Sequence, residues 1–166
     1  SYVQTGDPDS TLDSKHAFTT DGVADKDEVD FGYQPQGTSS IGDYVWNDTD
    51  GDSEQDVSET GVSGVGVTLY QDQNGDGVVD NVDAVVATAT TDASGGYLFS
   101  NLAAGNYIVK VDDTNFNSAQ PLENLTHTNP QTGVADNLHK VALGSGEDYD
   151  AADFGYAESS IGDLIW

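Results

Sequence analysis

A block of residues occurs twice in this chain, about one domain length apart, and this repetition constrains the architecture more than any other feature. The segment DFGY at 30–33, followed by SSIGD at 39–43 and Trp46, recurs as DFGY at 153–156, SSIGD at 159–163 and Trp166. The offset is 123 residues for the first segment and 120 for the second. Repetition at such a period indicates a tandem array. The sequence predicts that 1–35 is the C-terminal part of a preceding repeat, 36–158 is a complete repeat, and 159–166 is the first strand of the following repeat.

Within residues 36–158, apolar side chains alternate with small or polar ones at the two-residue period of half-buried strands. The alternating sets are Val65, Val67 and Leu69; Tyr97 and Phe99; Tyr107, Val109 and Val111; and Val141 and Leu143. Segments 41–46 and 85–91 and the Phe154/Tyr156 pair bring the total to about seven strands, and no stretch has helical periodicity. The predicted fold class is all-β, an antiparallel two-sheet sandwich with Greek-key connections.

An acidic segment at 48–59, called loop one, has the spacing of a calcium-binding loop. Counting Asp48 as position 1, oxygen-bearing side chains fall at positions 1, 3, 5, 9 and 12, and position 7 can offer a backbone carbonyl. A large hard cation collects six to eight oxygens from such a loop. Ser53 stands at position 6, where the usual loop has glycine, so we expect a different or strained backbone there. The candidate ligands are Asp48, Asp50, Asp52, Glu54, Asp56 and Glu59.

A second segment at 72–83, called loop two, repeats the spacing with Gly77 at position 6 and aspartate at position 12. Its candidate ligands are Asp72, Asn74, Asp76, Val78, Asp80 and Asp83. Aspartate-rich loops also occur as solvated turns, but two matching loops in one repeat favour cation binding. We expect at least two Ca²⁺ ions per complete repeat. A third is possible around Asp112, Asp113 and Asn115, or around Asp148, Asp150 and Asp153, although these groups lack the loop spacing and also suit an acidic strand edge.

The composition excludes several other classes of site and partner. The 166 residues include 30 acidic side chains against 4 lysines and no arginine, for a net charge of −26, which disfavours nucleic acid and anionic membranes. Cysteine is absent, so disulfides and thiolate zinc sites are excluded. No apolar run approaches the ~20 residues of a membrane span. We expect no membrane insertion in this segment.

The residues after loop two distinguish between families that share such loops. Helix-flanked calcium hands need an amphipathic helix there, but this chain continues into the β-branched run 85–91. The loops therefore join strands. Six blocks, in order, resemble the SdrD B-like domain of bacterial surface adhesins. They are SIGDYVW at 40–46 with loop one, GVSGVGVTL at 61–69, loop two, TDASGGYLF at 91–99, Leu102 with GNY at 105–107, and DFGY at 153–156.

This resemblance implies a calcium-binding β-sandwich related to the collagen-adhesin B-type fold and repeated in tandem as a stalk. It supports the same twelve ligand positions in the two loops. Some B-type relatives carry a lysine–asparagine isopeptide bond between the first and last strands. The first strand here, 41–46, contains no lysine, and the last, around Phe154, contains no asparagine. The sequence thus argues against that cross-link. Bound calcium is then the only predicted link that would hold the sandwich together besides its core.

The leading functional prediction is a structural repeat that forms the rigid stalk or filament of an extracellular bacterial surface adhesin, at the cell surface or secreted. Its partners would be neighbouring repeats of the same chain or neighbouring subunits of a filament. The alternative is an adhesive module that recognises a host or matrix protein, with Tyr33, Tyr44, Tyr70 or Tyr156 as anchors. An enzyme is disfavoured, because the carboxylates with recognisable spacing are better used as metal ligands and no nucleophile or phosphate-loop motif is present.

Overall fold

The structure is a computed structural model that describes residues 2–6, 32–35, 37–129 and 136–158. The chain divides into two compact units, Ser1–Gly37 and Thr38–Trp166. In the first unit, strands β1 (Tyr2–Gly6) and β2 (Gly32–Pro35) pair antiparallel. The residues described include no helix long and apolar enough to cross a bilayer.

The second unit is a sandwich of two β-sheets. Its elements are β3 (Ser39–Asn47), β4 (Thr60–Gly61), β5 (Gly66–Gln71), β6 (Ala84–Thr90), β7 (Gly96–Leu102), β8 (Gly105–Val111), a 3-10 helix (Asp113–Phe116), β9 (Leu125–His127), β10 (Leu138–Leu143), β11 (Asp148–Tyr149) and β12 (Phe154–Glu158). One sheet has the order β10-β8-β5-β6. In the other, β3 is central, with β7 and β4 along one side, β11 and β12 along the opposite side, and β9 beyond β12.

The all-β, two-sheet prediction is confirmed, with two differences in detail. Ten strands are present in the described part of residues 39–158 rather than about seven, because β4, β9 and β11 are only two or three residues long. The pairing is not wholly antiparallel either, since β11 and β12 both run parallel to β3. The first and last strands of the unit are therefore neighbours.

The core lies between the sheets and is built from the residues that alternate in the sequence. Val65, Val67 and Leu69 are fully buried, as are Ile41 and Val45 on the central strand of the opposite sheet. Every alternating set predicted from the sequence faces this core, because a strand directs successive side chains to opposite faces of its sheet. Burial of this layer stabilises the sandwich by about 25 cal/mol per Å² of apolar surface removed from water.

Strands β1 and β2 pair in the same register as two strands of the second unit. Tyr2 lies opposite Pro35, and Gln4 lies opposite Tyr33. Adding the sequence offset of 123 to these positions gives the β9–β12 pairs, in which Leu125 lies opposite Glu158 and His127 opposite Tyr156. The first unit thus contains the same strand pair, at the same period, as the end of the second unit.

Candidate metal sites in two acidic loops

Loop one leaves the end of β3 and begins with a buried carboxylate. The Asp48 side chain is fully buried, and its backbone N–H donates to the Tyr156 carbonyl of β12 at 2.9 Å. Its Oδ1 accepts from the Gly51 N–H at 2.7 Å, and its Oδ2 accepts from the Ser53 N–H at 3.1 Å. Both oxygens are fixed by backbone donors, so the chain is wound around this carboxylate.

The remaining acids of loop one continue this winding. Asp50 Oδ1 accepts from the Asp52 N–H at 3.3 Å, and Asp52 Oδ1 accepts from the Glu54 N–H at 2.8 Å. The last acid closes the loop, because Glu59 Oε1 accepts from the Thr49 N–H at 2.6 Å and its Oε2 accepts from the Asp56 N–H at 3.1 Å. Each of these oxygens keeps a second lone pair that can face a cation.

Loop two, between β5 and β6, has the same hydrogen-bond pattern at the same positions. Asp72 Oδ1 accepts from the Gly75 N–H at 2.7 Å and its Oδ2 accepts from the Gly77 N–H at 2.9 Å. Asn74 and Asp76 each accept from the N–H two residues later. Asp83 closes the loop by accepting from the Gln73 N–H at 3.1 Å and the Asp80 N–H at 3.0 Å. Two separate loops that share the same residue spacing thus adopt one backbone frame.

The two loops differ at position 6, where both backbones are left-handed. Gly77 has φ of 71° and Ser53 also has φ of 71°. Of the two expectations for Ser53, a different backbone or a strained one, the second is correct. The serine adopts the left-handed conformation that glycine favours. The Ser53 Oγ–H donates to the Thr128 carbonyl at 2.7 Å, which offsets part of the strain. At Gly77 an added Cβ would lie 2.5 Å from Lys140 Cδ, so a serine there would require the end of the lysine side chain to move.

Carboxylates converge most closely in loop one. One carboxylate oxygen from each of Asp48, Asp50 and Asp52 lies within 4.8 Å of the others, and no other group of three acidic, histidine or cysteine ligands is as close in the described residues. The hydrogen bond from the Asp52 N–H lowers the pKa of Asp50, but desolvation and the neighbouring charges of Asp52, Glu59 and Asp56 outweigh it and raise that pKa. The site thus accumulates negative charge at short range, as a divalent cation requires.

Loop two brings its predicted ligands together less tightly. The Asn74 amide donates to Asp76 Oδ2 at 2.9 Å, a contact that joins positions 3 and 5 directly. Asp80 Oδ1 accepts from the Val82 N–H at 2.8 Å. Val78 has a hydrocarbon side chain, so it could serve as a ligand only through its backbone carbonyl. Both loops nevertheless present the oxygen-only donor set that suits calcium.

The first candidate for a third cation site has a structural role. Asn115 Oδ1 accepts from the Gly66 N–H at 2.8 Å, and its amide donates to the Gly66 and Asp112 carbonyls, each at 2.8 Å. Asp112 Oδ1 accepts from the Thr68 hydroxyl at 2.7 Å. These groups fix the chain after β8 onto the start of β5. Asp7, Asp9 and Asp13, three acids of the N-terminal fragment whose sequence suits either turn residues or cation ligands, lie outside the described residues.

The second candidate group contains a feature that sequence reasoning missed, a pair of hydrogen-bonded carboxyl groups. Asp43 on β3 bonds to Asp153, which immediately precedes β12, and Asp153 Oδ1 also accepts from the Tyr44 N–H at 3.2 Å. Desolvation and the Asp43 charge raise the pKa of Asp153 to about 7. Desolvation also raises the pKa of Asp43. Near neutral pH the two groups can share one proton and hold the first strand to the last.

Sequence comparison identifies the family. The SdrD B-like domain matches residues 39–156. Serine-aspartate repeat-containing protein F of Staphylococcus epidermidis is 36% identical over 172 residues, which cover 98% of this chain and 9% of that protein. Serine-aspartate repeat-containing protein D of Staphylococcus aureus (strain MW2) is 35% identical over 167 residues, which cover 95% of this chain and 11% of that protein. The chain thus spans about a tenth of the length of these relatives.

Two solved structures are similar at low sequence identity. The minor pilin GBS52 of Streptococcus agalactiae has a TM-score of 0.48 and 14% identity, covering 79% of this chain and 49% of that pilin. The shaft pilin SpaA of Lactobacillus rhamnosus GG has a TM-score of 0.45 and 13% identity, covering 76% of this chain and 52% of that pilin. The family match over the whole sandwich, together with relatives above a third identity along nearly the full chain, shows that this chain belongs to the SdrD B-like domain family.

Proposed function

We propose that this chain is a calcium-stabilised structural repeat from the stalk or filament of an extracellular bacterial surface adhesin. The observation that carries the proposal is the hydrogen-bond frame shared by loop one and loop two. Asp48 and Asp72 each accept from the backbone at positions 4 and 6, and Glu59 and Asp83 each accept at positions 2 and 9. The same frame in two separate loops, each with its first and last side chain held by backbone N–H groups, suits a bound cation better than a solvated turn.

The proposed ligands are the twelve residues predicted from the sequence. Carboxylates would supply most of them, and Glu54 and Val78 would contribute backbone carbonyls at position 7. Calcium fits better than magnesium because the loops offer many carboxylates on a flexible backbone, whereas magnesium favours a strict octahedron and retains its waters. Loop one would bind more tightly, since its three carboxylates already lie within 4.8 Å of one another.

Calcium bound to the folded form alone would stabilise this form by linkage. At 100 times its dissociation constant, each ion adds about 2.7 kcal/mol. Loop one joins β3 of the six-stranded sheet to β4, and loop two joins β5 to β6 in the other sheet. Each bound ion would therefore fix the connection between neighbouring strands and stiffen one sheet.

We further propose that 36–158 is one complete repeat, flanked by the end of a preceding repeat at 1–35 and the first strand of a following one at 159–166. The matching registers of β1–β2 and β9–β12 support this division. Membership of the SdrD B-like domain family, whose resemblance implies a bacterial surface adhesin, supports a place at the bacterial surface. The role of the repeat would be mechanical and not catalytic, and its partners would be neighbouring repeats or filament subunits.

Thermal unfolding of the whole chain tests the calcium proposal. The circular-dichroism midpoint is measured in excess calcium, in excess magnesium and in excess chelator. We expect calcium to raise the midpoint by about 5 to 10 °C per saturated site relative to chelator, and magnesium to raise it much less. An equal midpoint in calcium and chelator would contradict the proposal.

Two conservative substitutions test whether the calcium-dependent rise in the unfolding midpoint originates in loop one and loop two. Glu59→Gln and Asp83→Asn each remove the closing carboxylate but keep side-chain size, and the double variant should lose most of the calcium-dependent rise. Glu158→Gln, an exposed acid on β12 outside both loops, is the matched control and should retain the full rise. If all variants responded to calcium as the unsubstituted chain does, the ion would bind elsewhere and the loop assignment would fail.

An adhesive module that recognises another protein is the second candidate function. One observation favours it: large apolar side chains are exposed on β6, where Val85 is 59% and Val86 is 42% exposed. Exposed apolar surface on an edge strand is typical of interaction sites. The tyrosines proposed as anchors are less suitable, because Tyr156 is fully buried, and Tyr44 and Tyr70 are half-buried. The Tyr33 side chain lies outside the described residues.

A further inference from the structure

One side of the sandwich is formed by the edge strand β6 of the four-stranded sheet and by β7 of the other sheet. Among the described strands, β6 pairs only with β5 and β7 pairs only with β3. A bulge at Val86 interrupts the first half of β6, since Leu69 pairs with Ala87 while Tyr70 pairs with Val85. The second half, residues 87–90, pairs regularly with β5 on one side, and no described strand pairs with its other backbone edge.

This edge lacks the usual protection against strand addition. Natural edge strands are commonly protected by lysine, proline or inward-pointing charge, but β6 reads AVVATAT and contains none of these. The bulge protects only the first half, because a bulge twists the strand away from a flat template. Residues 87–90 therefore remain a short template with unpaired N–H and C=O groups.

A groove of about 600 Å³ adjoins this template. Ala89 and Thr90 line it from β6, and Leu98 lines it from β7 with 64% of its side chain exposed. Gly42 lies opposite Leu98 in the β3–β7 register and contributes no side chain, which deepens the groove at that point. The groove thus combines apolar surface with an available backbone edge.

Carboxylates surround the groove, and no basic residue lines it. Asp92 contributes at the β6–β7 turn, Asp43 contributes from β3, and Asp148 and Asp150 contribute from the segment around β11. The whole chain carries a net charge of −26, so a second copy of the same chain would be repelled from this side. The groove complements a partner that is extended and cationic.

We propose that an extended segment of a partner protein, bearing lysine or arginine, docks on this side by adding a strand to residues 87–90. Backbone hydrogen bonds to the β6 edge would align the segment, and one cationic side chain would enter the groove between Leu98 and the carboxylates. Electrostatic attraction would accelerate the encounter and make it sensitive to ionic strength. This docking goes beyond the stalk function and requires no contribution from the calcium loops.

Peptide titration of the whole ¹⁵N-labelled chain in excess calcium tests the inference. The probe is a capped synthetic peptide that alternates valine with lysine. We expect it to shift the amide resonances of residues 87–90 together with those of Gly42 and Leu98, with affinity that falls as salt increases. A peptide with glutamate at each lysine position should not bind. A lysine peptide with alternate backbone amides N-methylated should bind about tenfold more weakly, because it cannot complete the strand ladder.

Two substitutions test separately how the groove carboxylates and the β6 backbone edge contribute to peptide binding. Asp150→Asn, an exposed substitution, should weaken the lysine peptide by about two- to fivefold, and Thr88→Lys on the exposed face of β6 should weaken it similarly. Glu158→Gln changes charge by the same amount on β12 and should have no effect.

Several outcomes would overturn the inference. They are equal binding of the two peptides, resonance shifts confined to β10 at the other edge of the sheet, or concentration-dependent pairing of the chain with itself through β6. A calcium-dependent rise in the unfolding midpoint without any peptide binding would overturn this inference alone and leave the stalk proposal standing.

Discussion

Ser53 shows how one residue can occupy a conformation that its side chain disfavours. Its φ of 71° matches that of Gly77 at the equivalent position of loop two. A non-glycine residue in the left-handed region costs about 1–2 kcal/mol. The hydroxyl bond to the Thr128 carbonyl, at 2.7 Å, offsets this cost by about 1 kcal/mol. The serine is therefore tolerated because of a contact 75 residues away in the chain.

Substitutions at Ser53 should separate these two effects. Ser53→Ala loses the hydrogen bond but keeps the strain, whereas Ser53→Gly loses both. We expect Ser53→Ala to be less stable than Ser53→Gly by about 1 kcal/mol in chemical denaturation. Ser58, exposed in the same loop without a positive φ, is the control, and there glycine should be no better than alanine. An alanine variant as stable as the glycine variant at position 53 would show that no strain is stored.

The Asp43–Asp153 pair makes the stability of the sandwich depend on pH. The pKa of Asp153, about 7 in the folded chain, lies above the ordinary value of 3.8. Between these values the folded state binds more protons than the unfolded state, so the contribution of this group falls as pH rises. It is fully present below pH ~4 and is lost as pH rises through ~7.

Asp153→Asn should remove this pH dependence. The amide can donate to Asp43 at every pH, so the difference in unfolding free energy between variant and unsubstituted chain should grow in favour of the variant from pH ~5 to ~8. Denaturation at several pH values measures this difference. Excess chelator keeps calcium out of the two loops during the measurement. Asp113→Asn, which alters an exposed ion pair with Lys110, should give a flat difference over the same range. A flat difference for Asp153→Asn as well would contradict the shared proton.

Sequence reasoning anticipated Ser53 but not the carboxyl pair, for a physical reason. The loop spacing fixes which position must turn sharply, so an unusual residue there is visible in the sequence. The pair joins residues 110 positions apart, and only the parallel alignment of β3 and β12 brings them together. The first and last strands lack the lysine and asparagine of an isopeptide bond. That absence gives no indication that a pair of carboxyl groups links these two strands.

At the scale of elements, the contact between β3 and β7 requires a residue without a side chain. An added Cβ on Gly42 would lie 2.3 Å from the Tyr97 carbonyl oxygen and 3.0 Å from Leu98 Cα. These are backbone atoms of the paired strand, so they can yield only if the strands separate. Gly42 is thus required by the close approach of two strands, not by a turn.

Gly42→Ala should destabilise the sandwich by about 1–3 kcal/mol, the cost of forcing extra volume into a packed contact. Gly105→Ala provides the matched control, because the nearest atom to its added Cβ is Tyr107 Cε2 at 3.7 Å, an ordinary contact distance. Urea denaturation of the two variants measures the difference. Equal stability of both would show that β7 moves away from β3 without cost.

The sequence predicted the long strands well and the short ones poorly. Alternation over several residues is a strong signal, and β5, β7, β8 and β10 all lie where it placed them. Strands β4 and β11, with two residues each, cannot display a period of two. Strand β9 was missed because its only buried residue is His127, which packs against the Phe154 and Tyr156 rings instead of presenting an aliphatic face.

At the scale of the whole molecule, the net charge of −26 opposes folding unless cations are near. Self-repulsion of like charges destabilises a compact state. Within the described residues, the ion pair of Lys110 with Asp113 lies at the surface and offsets little of this charge. Bound calcium would remove repulsion where it is densest, whereas dissolved salt would screen it everywhere.

Salt should therefore stabilise the chain mainly when calcium is absent. In excess chelator, raising the ionic strength from ~0.01 to ~0.15 M should raise the unfolding midpoint by about 3 °C or more, because the screening length falls from ~30 to ~8 Å. In excess calcium the same change should have a smaller effect. Thermal scans in both conditions make the comparison. A midpoint insensitive to salt in chelator would show that the acidic loops do not limit stability.

The parallel alignment of β3 with β12 decides how the second unit would respond to tension. Phe154, Gly155 and Tyr156 lie beside Val45, Trp46 and Asn47 in one continuous ladder, and the Asp48 N–H extends it. A pull applied to the two ends would drag these neighbouring strands in opposite directions along their length. The hydrogen bonds would then be sheared together instead of being unzipped one after another. We expect such a unit to resist extension up to a high force and then to unfold abruptly.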